Sequence, residues 1–576
     1  VLPPATLRGP AAGPRNLLEW LTLERVAYGL ALLLAAGLRL VDLGQTPMAP
    51  AEAAQAWVAL AQVRGEALLP PPGTSPLLLS LQYLTFLLAA ASELWARFWP
   101  TVAGTLLVLL PYGLRRRLGR PAALAAAFLL AISTNLVFWS RSGTGESFAA
   151  LGALGLVLCL DGYCREGVRP WAAWGAASLA VLLMSAPAGY SALLAIAPLA
   201  LVLLRHRTFC PLPGPARQGA MLRAGLILVA ALLLGSTALL LVPQGLAALA
   251  ELPVAWLREL VQPGGYALST LLLQLVLEET FLLAVGVAGL VLGLRRGDAL
   301  ARGLGIWLAI ALLLLLRPGR SPADGVVVVL PLALLGGQAL AAYAGRLRDL
   351  AAQPWEALAL AIAGLALLGF TAIWLADYGA SPQQVGDRVF LIYAGLGLGL
   401  LLALFLLAGL YFGSRVTATV GIAVLLLGLL LPSLRASWEM SHNDDGLRWG
   451  SLLSTIGATD GPGIPEYLQQ LARQATPYGG DLFDLPVALV VAPGTEPNPL
   501  LHWYLRDADV REIAGAGADS GEQVIVALPE ESLALGEGYA GRSYRLTQSW
   551  APTALEGTAL WRWLILSVWI PASQFW

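Results

Sequence analysis

Apolar stretches of about 20 residues recur along this chain, and nothing else in the sequence restricts its fold as strongly. A hydrocarbon core about 30 Å thick is crossed by about 20 helical residues, because a helix bonds all its backbone polar groups internally. Such stretches are read at Val26–Leu43, Phe98–Leu114, Pro121–Trp139, Ser147–Leu160, Trp171–Pro187, Tyr190–Leu204 and Leu222–Val242. Others follow at Thr270–Leu294, Gly303–Leu316, Val326–Tyr343, Ala357–Ala376, Val389–Tyr411 and Val416–Leu434. The expectation is a polytopic α-helical membrane protein with about thirteen transmembrane helices. Composition agrees: of 576 residues, 57% are hydrophobic and only 12% charged, about half the charged share of a soluble domain. Thirty-five basic residues, all Arg, against 36 acidic ones leave no basic face for a nucleic acid. Cys159, Cys164 and Cys210 are too few for a disulfide framework or a metal quartet.

Arginine placement orients the spans. Residues 1–25 carry Arg8, Arg15 and Arg25 but no small-residue cleavage site after an apolar core, so they read as a cytoplasmic N-terminal segment. The basic connections at Arg115–Arg120, Arg165–Arg169, Arg205–Arg223, Arg295–Arg302 and Arg346–Arg348 then share the cytoplasmic side. That holds provided the apolar run Pro76–Ala91 lies along the outer leaflet instead of crossing. The outer loops are Gly44–Arg97, Ser140–Glu146, Gln244–Ser269, Arg317–Gly325 and Asp377–Arg388. Residues 26–434 form the transmembrane domain. Residues 435–559 read as a small extracytoplasmic α/β domain, with strands at Val487–Val491 and Val524–Leu528 and a helix at Glu466–Gln474. Residues 560–576 hold Trp561, Trp563, Trp569 and Trp576, and indoles favour the membrane interface. No internal repeat and no pair of broken spans is read, which argues against a transporter of inverted halves.

Several polar groups stand out against this apolar background. Glu52 follows Pro50 at the start of a helix reaching about Arg64; a helix-start carboxylate and a catalytic one are its two readings. Glu146, after Arg141-Ser-Gly-Thr-Gly145, has the same two readings and falls on the same side as Glu52. Two carboxylates at one site suit a base-assisted group transfer. Arg317 and Arg320, in the loop before Val326, suit a phosphate gripped through paired hydrogen bonds, or a snorkelling helix end. Glu278 and Glu279 interrupt an apolar span, where charge is costly and faces a cavity or a partner. Arg39 and Asp42 are spaced to pair with each other. His206, His442 and His502 lack metal-ligand spacing, so no metal is assigned, and Asn443–Asp445 reads as a solvated turn or a cation ligand.

In order, several motifs resemble one family. They are Arg39–Leu43, the Pro-flanked Glu52, Ser92–Arg97, Arg117–Arg120, and Ser133 with Trp139–Arg141 before Glu146. The chain resembles the GT-C superfamily of membrane glycosyltransferases, similar to protein O-mannosyltransferases and lipid A aminoarabinose transferases. Within it the likeness is to a flippase-activity-associated branch of archaea and some bacteria, through Pro499–Asp507 and the Trp561–Pro571 stretch. The resemblance implies a multi-pass protein of a prokaryotic inner membrane that uses a polyprenyl-phosphate sugar and no further cofactor. It would transfer the sugar, with inversion, to a hydroxyl of a protein or glycolipid at the outer leaflet. Glu52 and Glu146 would be catalytic, Arg320 with Arg317 would hold the lipid phosphate, and Arg141, Glu278 and Glu279 would line the cavity. The family's first outer loop carries an Asp where this chain has Ala51, and alanine accepts no proton. A catalytically degenerate scaffold or accessory subunit of the same fold is therefore the competing expectation.

Overall fold

The computed structural model describes residues 22–548 apart from 167–168, 206–213, 351–353, 381–387, 443–455, 458–459, 476–484, 492–497, 515–523 and 529–538. The expected N-terminal segment up to residue 21, His206, Cys210, Asn443–Asp445 and the Trp-rich segment 560–576 lie outside the described residues.

Leu23–Leu40 (α1) starts where the Thr22 hydroxyl accepts the Arg25 amide. Pro50–Val63 (α2) and Pro76–Leu88 (α3) each open on proline, whose missing N–H is no loss in a first turn. The 13 residues of α3 rise only about 20 Å, short of a bilayer's thickness. Glu93–Leu107 (α4) and Leu110–Leu118 (α5) together make one apolar length of 26 residues. Next come Arg120–Ile132 (α6), Thr134–Arg141 (α7), Glu146–Glu166 (α8), Arg169–Leu183 (α9), Pro187–Arg205 (α10) and Gly214–Ser236 (α11). Gly245–Val261 (α12), Leu268–Glu278 (α13), Thr280–Arg295 (α14) and Ala299–Leu314 (α15) follow. A 3-10 turn at Pro322–Asp324 leads into the long helices Gly325–Asp349 (α16), Pro354–Ala380 (α17), Arg388–Phe412 (α18) and Ser414–His442 (α19).

Among the described residues, 7 helices are long and apolar enough to cross a membrane, or 9 when two bent pairs are counted as single spans. Each of the thirteen expected stretches corresponds to a described helix or bent pair, and two features refine them. Four further apolar helices, including α3 and α15, are shorter than a span. Two expected spans are broken: Pro121–Trp139 bends by 55° between α6 and α7, and Thr270–Leu294 bends by 88° between α13 and α14. Paired broken helices, read as absent from the sequence, are thus present. The two breaks are joined. Glu279 accepts from the Ser133 hydroxyl (2.5 Å) and the Asn135 amide (2.9 Å), replacing bonds that the helix through Ser133 gives up. Arg39 completes the bend by donating to the carbonyls of Leu130 (3.0 Å) and Ala131 (2.9 Å) at the end of α6. Arg39 does not pair with Asp42; the free carbonyls of a broken helix take its donors instead.

The main core lies where α6, α8, α10, α14 and α15 surround α16, whose Val326–Leu330 and Leu332–Leu335 are fully buried. By contrast α18 exposes Leu402, Leu406 and Leu410, the last by 86%. An apolar surface of that kind is stable facing lipid. After α19 come Ile456–Gly457 (β1), Gly463–Ala475 (α20), Pro486–Val490 (β2), Pro499–Tyr504 (α21), Asp509–Ile513 (β3), Val524–Val526 (β4) and Thr547–Gln548 (β5). The order β3-β2-β4 is parallel throughout, and β1 pairs with β5 antiparallel. Central β2 is buried, as its unbroken apolar run predicts.

Candidate active site

Glu52 is the third residue of α2, and its carboxylate turns back to cap its own helix. Oε2 accepts from the Ala49 amide (3.0 Å) and from Arg97 Nη2 (2.6 Å), while Oε1 accepts from the Gly143 amide (2.7 Å). Burial pushes this carboxyl up, but the charge and hydrogen bond of Arg97 with the two amides outweigh it and hold Glu52 below the usual carboxylate range. Arg97 belongs to α4 and also binds the carbonyls of Leu43, Thr46 and Pro47. The pair therefore pins loop 44–49 to the 142–145 turn.

That turn delivers Glu146 to the start of α8. Gly145 has no room for a side chain, since a Cβ would be driven into the Ser185 carbonyl and against Ser75. Ser75 in turn donates to the Met184 carbonyl (3.0 Å) and is fixed by a two-way bond with Gln55 of α2. Glu146 is thus wedged between α2 and the 184–190 turn, within electrostatic range of both Glu52 and Asp324. Its Oε2 is buried and has no hydrogen-bond partner among the described residues.

On the far side of Glu146 lies the arginine loop. Arg317 is buried and committed to Glu259 of α12 (2.7 Å), Asp324 (3.0 Å) and the Ser191 hydroxyl (2.8 Å). Arg320 differs: its Nε and Nη1 donate to the carbonyls of Tyr266 (2.8 Å) and Arg317 (3.1 Å), and it makes no ion pair among the described residues. Gly319 lies flat against α12, its amide donating to the Glu259 carbonyl (2.8 Å) at a contact no side chain would permit. Burial first, with Asp324 and Glu146 adding to it, raises Glu259 to about 7 despite Arg317. Glu52 thus contacts the turn that carries Glu146, and Glu146 is linked to the loop of Arg317 and Arg320 by the electrostatic influence of Asp324 and Glu259. Arg141 donates to the carbonyls of Arg39 (3.1 Å), Val41 (2.6 Å) and Asp42 (3.2 Å), holding the turn after α1. Glu278 and Glu279 sit at the α13–α14 break instead.

Sequence reasoning missed Arg97, Glu259 and Asp324 as partners. Only Asp324 had a local signal, the Ser321–Asp324 spacing that makes a capping box here. It also missed what Pro499–Asp507 does. Helix α21 packs on α2, where Tyr504 Oη accepts the Met48 amide (3.1 Å), Trp503 Nε1 donates to Glu93 (2.9 Å) and His502 stacks on Trp57. Burial lowers His502, and it raises Tyr504 to about 12. Among the described residues, no group of three or more His, Cys, Asp or Glu is placed to hold a metal.

No family model and no curated protein matches the sequence. The solved structures do. ArnT from Cupriavidus metallidurans bound to undecaprenyl phosphate is similar at a TM-score of 0.50 and 15% identity, covering 86% of each chain. The same enzyme in its apo state gives 0.49 and 18%, covering 86% of this chain and 85% of its own. The archaeal oligosaccharyltransferase AglB from Archaeoglobus fulgidus, in complex with an inhibitory peptide and a dolichol-phosphate, gives 0.46 and 13%, covering 86% of this chain and 65% of its own.

Proposed function

We propose, for a chain that has the GT-C fold of membrane glycosyltransferases, that it transfers a sugar from a polyprenyl phosphate to an acceptor hydroxyl. The acceptor oxygen attacks the anomeric carbon as the bond to the phosphate oxygen breaks, inverting that carbon. The hydroxyl proton passes to a carboxylate, and the lipid leaves as a phosphate monoester. Glu146 is the better base of the two candidates, because its Oε2 carries no hydrogen bond among the described residues. Glu52 serves best as a support, since both its oxygens are occupied and its basicity is lowered. Arg320, which makes no ion pair among the described residues, meets the leaving phosphate as charge develops on it. Arg317 acts behind it by holding the loop.

The observation that supports the reading is that Glu146 feels the charge of Asp324, which pairs with Arg317 of the arginine loop, in a fold similar to an enzyme that holds undecaprenyl phosphate. Residues 26–434 supply this machinery, with the loops facing outward, and helix α21 packs over Met48 and Trp57 of the first outer loop. A second reading has its own support. Ala51 has no acidic group and Glu52 is locked, which is what a scaffold that binds the lipid without turnover would show.

One experiment separates these readings. The full chain in its native membranes, which carry the acceptor, is supplied with a labelled polyprenyl-phosphate sugar, and release of polyprenyl phosphate is followed together with lipid binding. Glu146→Gln should lower release by roughly 10²–10⁴-fold, and Arg320→Ala by roughly 10²–10³-fold. Lipid binding without release in the unaltered chain would establish the scaffold, and equal release in Glu146→Gln would remove this mechanism.

A further inference from the structure

The break between α13 and α14 gathers buried polar atoms that sugar transfer does not use. Asn135, Gln274, Glu278 and Glu279 line one cavity of about 10 Å³, beside Ser321 and Gly325. That volume admits a single water-sized particle. The four side chains are between 1% and 3% exposed. Glu279 is accounted for by its bonds from Ser133 and Asn135. Glu278 Oε2 accepts from Gln274 Nε2 (3.3 Å), which turns the other oxygen of each group away from that bond.

Three oxygens remain: Glu278 Oε1, Gln274 Oε1 and Asn135 Oδ1 are all buried without a hydrogen-bond donor among the described residues. None of them can satisfy another, since a carboxylate and two amide oxygens are all acceptors. Among the described residues, no arginine is among the groups that act on Glu278. A carboxylate within an apolar span calls for a compensating positive charge. A donor set of oxygens alone, without sulfur or imidazole, selects hard cations.

We propose that Glu278, Gln274 and Asn135 bind a hard cation, sodium or a divalent ion, at the break of α13–α14. The ion would tie that break to the bend at Ser133 and to the start of α16, where Gly325 lies against the Asn135 amide. Ser321, on the cavity wall, directly follows Arg320, so the ion would also brace the arginine loop. The proposal does not depend on sugar transfer, because its ligands and its test involve no donor or acceptor.

The test is thermal unfolding of the detergent-solubilised full chain after dialysis against a chelator. Sodium, calcium, magnesium and manganese chlorides are titrated separately against choline chloride at constant ionic strength. A bound cation should raise the midpoint of the unaltered chain by roughly 2–5 °C at saturation. Sodium acting alone identifies a monovalent site, and a divalent ion acting at micromolar concentration identifies the other. Glu278→Gln should weaken the response on the order of tenfold or more. Gln274→Leu, which keeps the charge, should weaken it too, and it carries the test if Glu278→Gln does not fold. No cation-specific rise in the unaltered chain, or an equal rise in Gln274→Leu and Glu278→Gln, would overturn the proposal in favour of a protonated Glu278 beside a water.

Discussion

Replacing Arg97 by Met tests the pairing that holds loop 44–49. Its Nη1 donates to Leu43 O (3.1 Å), Thr46 O (2.8 Å) and Thr46 Oγ1 (2.6 Å), and its Nη2 to Pro47 O (3.0 Å) and Glu52 Oε2 (2.6 Å). Methionine leaves one carboxylate, one hydroxyl and three carbonyls without that donor. Removing one partner of a buried ion pair costs about 3–5 kcal/mol, and a stranded buried acceptor costs about 1 kcal/mol or more. Part of the second cost is recovered if the loop opens to water, so the expected loss is about 4 kcal/mol of local stability. Glu52→Gln removes the charge and turns one accepting oxygen into an NH2 that faces a donor, and it should cost about 2–3 kcal/mol. The double variant should lose about 2 kcal/mol less than the sum of the two. Hydrogen exchange of the α2 amides measures all three. The sign with pH is also set. Glu52 is held below its unfolded value, so its contribution is complete above about pH 4.3 and is lost as pH falls through the folded value. In Arg97→Met burial is opposed only by the Ala49 and Gly143 amides, so the carboxyl rises relative to the unaltered chain and the loss of protection should lessen as pH falls. Full protection of α2 in Arg97→Met at pH 7, or strictly additive losses, would refute this account of Glu52.

Two further outcomes are expected. Tyr504→Phe strands the buried Met48 amide and should lower protection of α2 by about 1–3 kcal/mol, with residues 486–490 unaffected. Glu259 is raised from 4.5 to about 7, so the folded chain binds more protons than the unfolded one across that window. Stability should therefore fall as pH rises from about 5 to 7, and Glu259→Gln, measured by thermal unfolding against pH, should flatten that slope.

Local sequence determined a good deal of this protein. The apolar runs from Phe98 to Leu434 locate its helices, and alanine, leucine and valine at that density cannot be soluble. Pro50 and Glu52 mark the start of α2, and Val487–Val491 locates the buried strand, because proline placement and an unbroken apolar run act within a few residues. Contacts with distant residues decided the rest. An apolar residue facing lipid reads the same as one facing the core, so α18 and α16 look alike in sequence and differ wholly in burial. The breaks at Ser133 and Glu278–Glu279 need each other, since the side chain of one repairs the backbone of the other across 144 residues of chain. Arg97 finds Glu52 from 45 residues away, and Arg317 finds Glu259 from 58. Periodicity records which side chains avoid water. It carries no information about which buried polar atom will meet which, and that matching occupies both oxygens of Glu52 while Glu146 Oε2 has no hydrogen-bond partner among the described residues.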